Sequence, residues 1–276
     1  MFTASRAVGH TSTSSAELPR VPALSALYDS GVKLRRGQLI MVAGMPKVGK
    51  SLFATWLANE MNLPTLYFSA DSSPHTASSR LAACITGQPI TSVETGLAAG
   101  ASGYYSDAMD DSNISWCFDS SPSTEDLMLE LDAYVEAWDV YPEVIVVDNL
   151  MNVQASEEYA GQLFVMGELH SLARATGATV FVLHHCSEAG QRDTTIPPPR
   201  SAIQGKVSQL PELIVTVAID PYSKQFRVAV VGNRSGPQFP DGKKFITLDS
   251  AVERCSFSHH TPAVYGGGYS YQEAEA

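Results

Sequence analysis

Residues Leu39 to Gly44 read LIMVAG, and the chain runs from there straight into MPKVGKS. Gly44 to Ser51 therefore has the form G-x-x-x-x-G-K-S, with an apolar run before it and helically spaced apolar residues (SLFATWLANEM) after it. A buried strand, a turn with glycine at both ends, and a lysine and hydroxyl opening a helix together describe a phosphate cradle in an α/β sheet. Gly44 and Gly49 let the backbone turn its N–H groups inward, so nucleotide contacts are expected along Gly44, Met45, Pro46, Lys47, Val48, Gly49, Lys50, Ser51 and Leu52. Lys50 is expected to reach the β- and γ-phosphates and the Ser51 hydroxyl to ligate Mg²⁺, with ATP as the ligand. Lys47 reads as a solvated charge.

The rest of the chain supports a parallel sheet. TLYFSA, EVIVVD and TVFVLHH read as short buried strands, EVIVVD apolar without alternation, and ISWCF as a further strand, each separated from the next by helical periodicity. Helices are expected over about His75–Thr86, from Ser123 with a capping-box-like Ser123/Asp126 pair, and over about Ser156–Thr176. Gly87 to Ser112 reads as a polar, Gly-rich insertion. Past residue 187 the character changes: a Pro-rich loop precedes ELIVTVAI, FRVAVVG and KFITLD, which read as antiparallel strands. The fold class is an α/β domain over residues 19–258 built around the phosphate loop, mostly parallel with antiparallel strands at its C-terminal edge, between disordered tails at 1–18 and 259–276.

Asp148 closes the VIVVD strand, at the sheet edge where open α/β sheets bind ligands, and fits the Mg²⁺-side carboxylate. Otherwise it is a helix N-cap. The next residue is Asn149, so the adjacent glutamate of many ATP-driven motors is absent. A second carboxylate must then come from a neighbouring strand end, and Asp71, closing TLYFSAD, is in place to orient the attacking water. The other reading of Asp71 is a turn residue in D-S-S-P. His184 and His185 end a buried strand at the same edge, either as site residues or as a structural pair.

The order of these motifs resembles the RecA-like core of DnaB-type and RepA-type hexameric replicative helicases over roughly residues 20–250. RGQLIMVAGMPKVGKSLFATWLA is similar to that group's loop and lead-in, and TLYFSADSSPHTASSRL to its segment of strand, catalytic acid and Arg-Leu. The resemblance implies Asp71 as the catalytic acid, Arg80 as the arginine that follows it, and His185 as the γ-phosphate sensor. VVGNRSGP resembles the family's element that reaches into the next subunit's site, which implies Arg234 as an arginine finger. Two positions depart from the pattern: the acid is Asp rather than Glu, one methylene shorter, and Gly232 stands where the family has a lysine. The family's separate N-terminal domain has no counterpart here. The resemblance also implies a ring, a hexamer in that family, and nucleic-acid contacts from the loop after His185, where Arg192, Arg200 and Lys206 supply cations but no aromatic residue.

Composition bounds the partner. The net charge is -11, and not one Lys or Arg occurs from Leu81 through Ala173, so a polyanion needs a local basic surface. Cys84, Cys117, Cys186 and Cys255 are scattered without a C-x-x-C pair, which suits a reducing cytoplasm. No signal-peptide core or membrane-length apolar run occurs, so no membrane partner is expected. Two function classes follow. One is an ATP-driven motor on single-stranded DNA in phage or plasmid replication or recombination. The other is a nucleotide-switched oligomeric mediator, loader or regulator without unwinding. A small-molecule phosphotransferase is disfavoured because no second basic lid cluster lies between the loop and Asp148.

Overall fold

The computed structural model of the chain describes residues 16–155, 161–187, 193–260 and 272–273. In chain order its elements are α1 (Ser25–Asp29), β1 (Leu39–Gly44), α2 (Lys50–Met61), β2 (Thr65–Ser69), α3 (Pro74–Thr86), α4 (Ile90–Ala98), α5 (Ser102–Met109), β3 (Ile114–Cys117), α6 (Thr124–Trp138), β4 (Val144–Asp148), α7 (Gln162–Thr176), β5 (Thr179–His185), β6 (Leu213–Asp220), β7 (Gln225–Asn233), β8 (Lys244–Ala251), β9 (Ser256–His259) and β10 (Gln272–Glu273).

The strands form one sheet in the order β10-β8-β7-β6-β1-β5-β4-β2-β3, with β9 paired to β8. Strands β3, β2, β4, β5, β1 and β6 run parallel, while β7, β8 and β9 add antiparallel pairings at the C-terminal edge. The expectation for ELIVTVAI is thus half met: β6 is antiparallel to β7 but parallel to β1. Every residue of β1, β2 and β4 is buried, which is why these strands show no polar alternation.

Helix α2 is apolar on most of its circumference because it is covered on both sides. It lies over the sheet at Val42, Val146 and Phe181 and under an aromatic cluster. Phe53 stacks on Phe226 with centroids 5.1 Å apart and meets Phe257 edge-on at 5.5 Å, while Trp56 approaches Phe257 at 5.3 Å. Such pairs add about 0.5–1.5 kcal/mol each beyond burial, and they tie β9 to the helix that starts at the phosphate loop. Glu212 does the corresponding job at the other end of the sheet. Its carboxylate accepts from Leu39 N at 2.9 Å and contacts His170 Nε2 of α7 at 2.7 Å, fixing where β1 begins.

The α6 start is capped as the sequence suggests: Ser123 Oγ accepts from Asp126 N at 3.1 Å and Asp126 Oδ2 accepts from Ser123 N at 2.8 Å. The Gly87–Ser112 segment differs from the expected insertion, since it forms α4 and α5. Val93 and Tyr105 pack on Ala82 and Ala83 of α3, with Ile90, Leu97 and Met109 around them, making a small second core. At the termini, residues 1–15, 261–271 and 274–276 of the expected tails lie outside the described residues. Of the described residues in the expected tails 1–18 and 259–276, Leu18 is buried and Gln272–Glu273 pairs with β8, so these parts are ordered rather than disordered. Among the described residues no helix is long and apolar enough to cross a membrane.

Candidate nucleotide site

The turn Met45–Gly49 closes at the carboxyl edge of β1, and Gly49 at φ 89° is the N-cap of α2. That conformation favours glycine. Gly44 is needed for a different reason: a Cβ there would lie 2.8 Å from the carbonyl oxygen of Val217 on β6. With the loop drawn this tightly against β6, the first N–H groups of α2 point into the space above the sheet, at the positive end of the helix.

That space is a cleft of about 230 Å³ lined by Lys47, Gly49, Lys50, Ser51, Leu52, Asp71, Arg80, Asp148, Asn149 and His185. Met45 and Val48 are buried beneath it and Pro46 is exposed at the loop tip. The strand order explains why these residues converge. Strands β1, β5, β4 and β2 are neighbours, so their last residues and the one or two that follow lie side by side along one edge. Lys50 with Ser51, Asp71, Asp148 and His185 come from four separate stretches of chain and meet there.

Lys50 is buried, and its Nζ donates to Gly44 O at 3.2 Å and Met45 O at 2.9 Å and faces His185 Nδ1 at 3.3 Å. An ammonium has only donors, so His185 Nδ1 must accept and the ring's proton sits on Nε2. Burial lowers the pKa of Lys50, against the pull of Cys186, Asp148 and Asp71. Burial first, and then Lys50 and His184, lowers that of His185. A neutral His185 with Nε2–H is thus a hydrogen-bond donor to anything bound in the cleft.

Asp148 is 3% exposed. Burial raises its pKa, opposed by hydrogen bonds from the Ser51 and Tyr67 hydroxyls. The Tyr67 hydroxyl donates to Asp148 Oδ2 at 3.1 Å. Asn149, joined to Asp148 by a cis peptide, donates its side-chain Nδ2 to Asp71 Oδ2. Asn149 is the site residue that sequence reasoning passed over. Only its adjacency to Asp148 pointed to it, and its partner comes from another strand. Arg80 reaches back from α3 to donate to Ser72 Oγ at 2.9 Å, next to Asp71.

Mg²⁺ suits this donor set. Ser51 and Asp148 offer two hard oxygens in mutual contact, and Mg²⁺ takes only one or two protein oxygens beside phosphates and water. Such a site needs no cluster of three or more metal-binding side chains, and none occurs among the described residues.

Arg234 lies elsewhere. Asn233 pairs with Leu213, which pairs with Ile40, whereas the phosphate loop leaves the sheet at the Gly44 rung. Four residues of strand, about 13 Å at ~3.3 Å per residue, separate Arg234 from its own chain's cleft. It sits at the opposite edge, exposed, with Nη2 donating to the carbonyls of Gln209 and Leu210 at 3.1 and 3.0 Å. The loop residues fare unevenly. Arg192 lies outside the described residues. Arg200 is not the free cation expected, because it is half-buried and its Nη2 donates to Ser208 O at 2.7 Å. Lys206 is exposed. The loop's return is fastened to the end of β5: Gln204 N donates to His185 O at 3.2 Å, His184 Nε2 meets Gln204 O at 2.8 Å, and Cys186 bridges Ile203. His184 is therefore the structural member of the histidine pair.

Comparison with known proteins agrees with this architecture. The family described as AAA domain matches residues 8–191. The Gene 65 protein of Mycobacterium phage L5 is 33% identical over 240 residues, covering 84% of this chain and 89% of that protein. The Gene 65 protein of Mycobacterium phage D29 is 30% identical over 230 residues, covering 76% and 94%. Among solved structures, a DnaB-like replicative helicase described with its primase interactions superposes with a TM-score of 0.76 at 15% identity, over 93% of this chain and 67% of that one. A structure described as an ATPase domain reaches the same 0.76 at 16% identity, over 93% of this chain and 96% of that one. The chain belongs to the AAA domain family, with a RecA-like ATPase core of the fold found in DnaB-type replicative helicases.

Proposed function

We propose that the chain hydrolyses ATP in this cleft and uses the cycle to move along or open single-stranded DNA, as a ring-forming replicative ATPase of phage origin. The observation that carries the proposal is the convergence of Lys50, Ser51, Asp71, Asp148 and His185 on one cleft at the mouth of the phosphate loop. The triphosphate lies against the loop N–H groups and the α2 N-terminus. Lys50 turns from the Gly44 and Met45 carbonyls to the phosphates, Ser51 and Asp148 hold Mg²⁺, and Asp71, steadied by Asn149, orients the attacking water. Bound Mg²⁺ supplies charge neutralisation on the phosphate oxygens. His185 donates from Nε2 toward the terminal phosphate.

Arg234 cannot serve its own chain's site across about 13 Å of strand. It is suited to a neighbouring copy's cleft, where a guanidinium stabilises charge on the transferring group. This supports sites shared between subunits, and hence a ring, which the fold relationship also favours. For DNA, the support is that fold relationship and Lys206 on the loop fastened to His185. The test is ATP hydrolysis with and without single-stranded DNA, alongside strand displacement on a forked duplex. Stimulation together with displacement supports the motor. Stimulation without displacement supports the second reading, a nucleotide-switched mediator or loader, which the net charge of -11 and the bonded Arg200 favour.

A further inference from the structure

Tyr67 is central in β2 and 1% exposed. It pairs with Val146, two residues before Asp148, so its ring lies on the Asp148 side of the sheet and its hydroxyl ends at Asp148 Oδ2, 3.1 Å away. On its other side it registers with Trp116 of the edge strand β3, and the two rings pack with centroids 4.2 Å apart at 33°. The Thr55 hydroxyl bonds the Tyr67 oxygen. Thr55 follows Ser51 by one turn of α2, and Ser51 bonds Asp148. Thr55, Tyr67, Asp148 and Ser51 thus form a chain of polar contacts linking α2, β2 and β4.

We propose that Tyr67 is a positioning residue that fixes the Asp148 carboxylate in the orientation needed to hold the metal of a bound metal–nucleotide complex. The proposal rests on the ATPase reading above and adds a residue to it. Phenylalanine would serve the packing against Trp116 equally well, so the hydroxyl answers a different need. A carboxylate 3% exposed is costly unless its oxygens are bonded, and one bond alone leaves it free to turn. Ser51 would itself hold the metal through its oxygen, so its bond to Asp148 would have to adapt to that ligation, whereas the Tyr67 hydroxyl would stay outside the coordination and keep its bond. Thr55, by donating to the Tyr67 oxygen, directs the phenolic hydrogen toward Asp148. Partners of this kind, one bond removed from the metal, are commonly worth about 10–100-fold in metal affinity.

The test uses the full chain and Mn²⁺ as the probe, titrated by electron paramagnetic resonance in the presence of saturating ADP. ADP affinity is measured separately in EDTA. In Tyr67→Phe, Mn²⁺ affinity is expected to fall about tenfold while ADP affinity in EDTA stays within about twofold of wild type. Thr55→Val should shift Mn²⁺ affinity in the same direction by less, and the double variant should be no worse than Tyr67→Phe. This variant also keeps the test open should Tyr67→Phe fail to fold. Unchanged Mn²⁺ affinity in both single variants overturns the proposal, as does an equal loss of ADP affinity in EDTA, which marks a general loosening of the site. Wild type that binds no ADP at all overturns instead the nucleotide site on which the proposal rests.

Discussion

Lys50 Nζ and His185 Nδ1 stand 3.3 Å apart across the mouth of the phosphate loop, the lysine donating and the neutral imidazole accepting. Lys50 is therefore held over its own loop carbonyls at one side and by the last residue of β5 at the other. Bound phosphate must draw it away from both. In the proposed cycle that exchange frees His185 to respond to the nucleotide, and the bond from Gln204 N to His185 O would carry the response to the loop that follows.

His185→Ala is expected to lower kcat by roughly 10²-fold, the scale of a lost proton-donating or polarising group. ATP affinity should change by less than about threefold, because the loop and Lys50 bind the phosphates. Stopped-flow nucleotide binding together with steady-state hydrolysis separates the two effects.

Asp71→Asn should bind ATP normally and lose roughly 10²–10⁴-fold in kcat. The amide keeps a partner for Asn149 after a side-chain flip, so the variant should fold with an unchanged melting temperature. An unchanged turnover would move the water-orienting group away from Asp71.

Arg234→Ala should cost roughly 10³-fold in hydrolysis and little in stability, since the side chain is exposed and its bonds go to surface carbonyls. Mixed with Lys50→Ala, it should regain part of the wild-type rate. A mixed interface then pairs an intact phosphate loop with an intact arginine. The measured quantity is ATPase activity against mixing ratio.

Stability should fall in acid because of His184. Burial lowers its pKa below the usual 6.5, and its Nδ1 is buried without a partner. The unfolded chain protonates from about pH 6.5 downward while the folded chain stays neutral. Stability is thus constant above that pH and declines as pH drops from 6.5 toward the lower folded value. Urea midpoints across this range should show a smaller slope in His184→Gln than in wild type.

Gly44→Ala should destabilise by about 1–3 kcal/mol, since the added methyl meets a backbone carbonyl of β6, which cannot turn aside as a side chain would. Thermal melts with and without ADP measure it.

The sheet was largely legible in the sequence because its strands are buried on both faces, so LIMVAG, TLYFS, VIVVD and TVFVLHH stand out as apolar runs. The phosphate loop was legible because its chemistry is local. The α4–α5 pair was missed because its few apolar residues are widely spaced among small and polar ones. Ile90, Val93 and Leu97 had helical spacing, but the Gly, Ser and Thr content around them dominated the reading. Partnerships across the sheet left no linear trace: nothing in the order of residues pairs Asn149 with Asp71 or Tyr67 with Asp148. Arg200 was legible as a cation but not as one engaged with Ser208, because that bond depends on how the loop folds back.

The central claim is tested most directly by the rate of ATP hydrolysis of the full chain with Mg²⁺, wild type against Lys50→Ala, at matched folding. Measurable turnover in wild type that falls to background in Lys50→Ala is the predicted result. Equal rates in the two proteins, or no nucleotide bound by folded wild type, would contradict it.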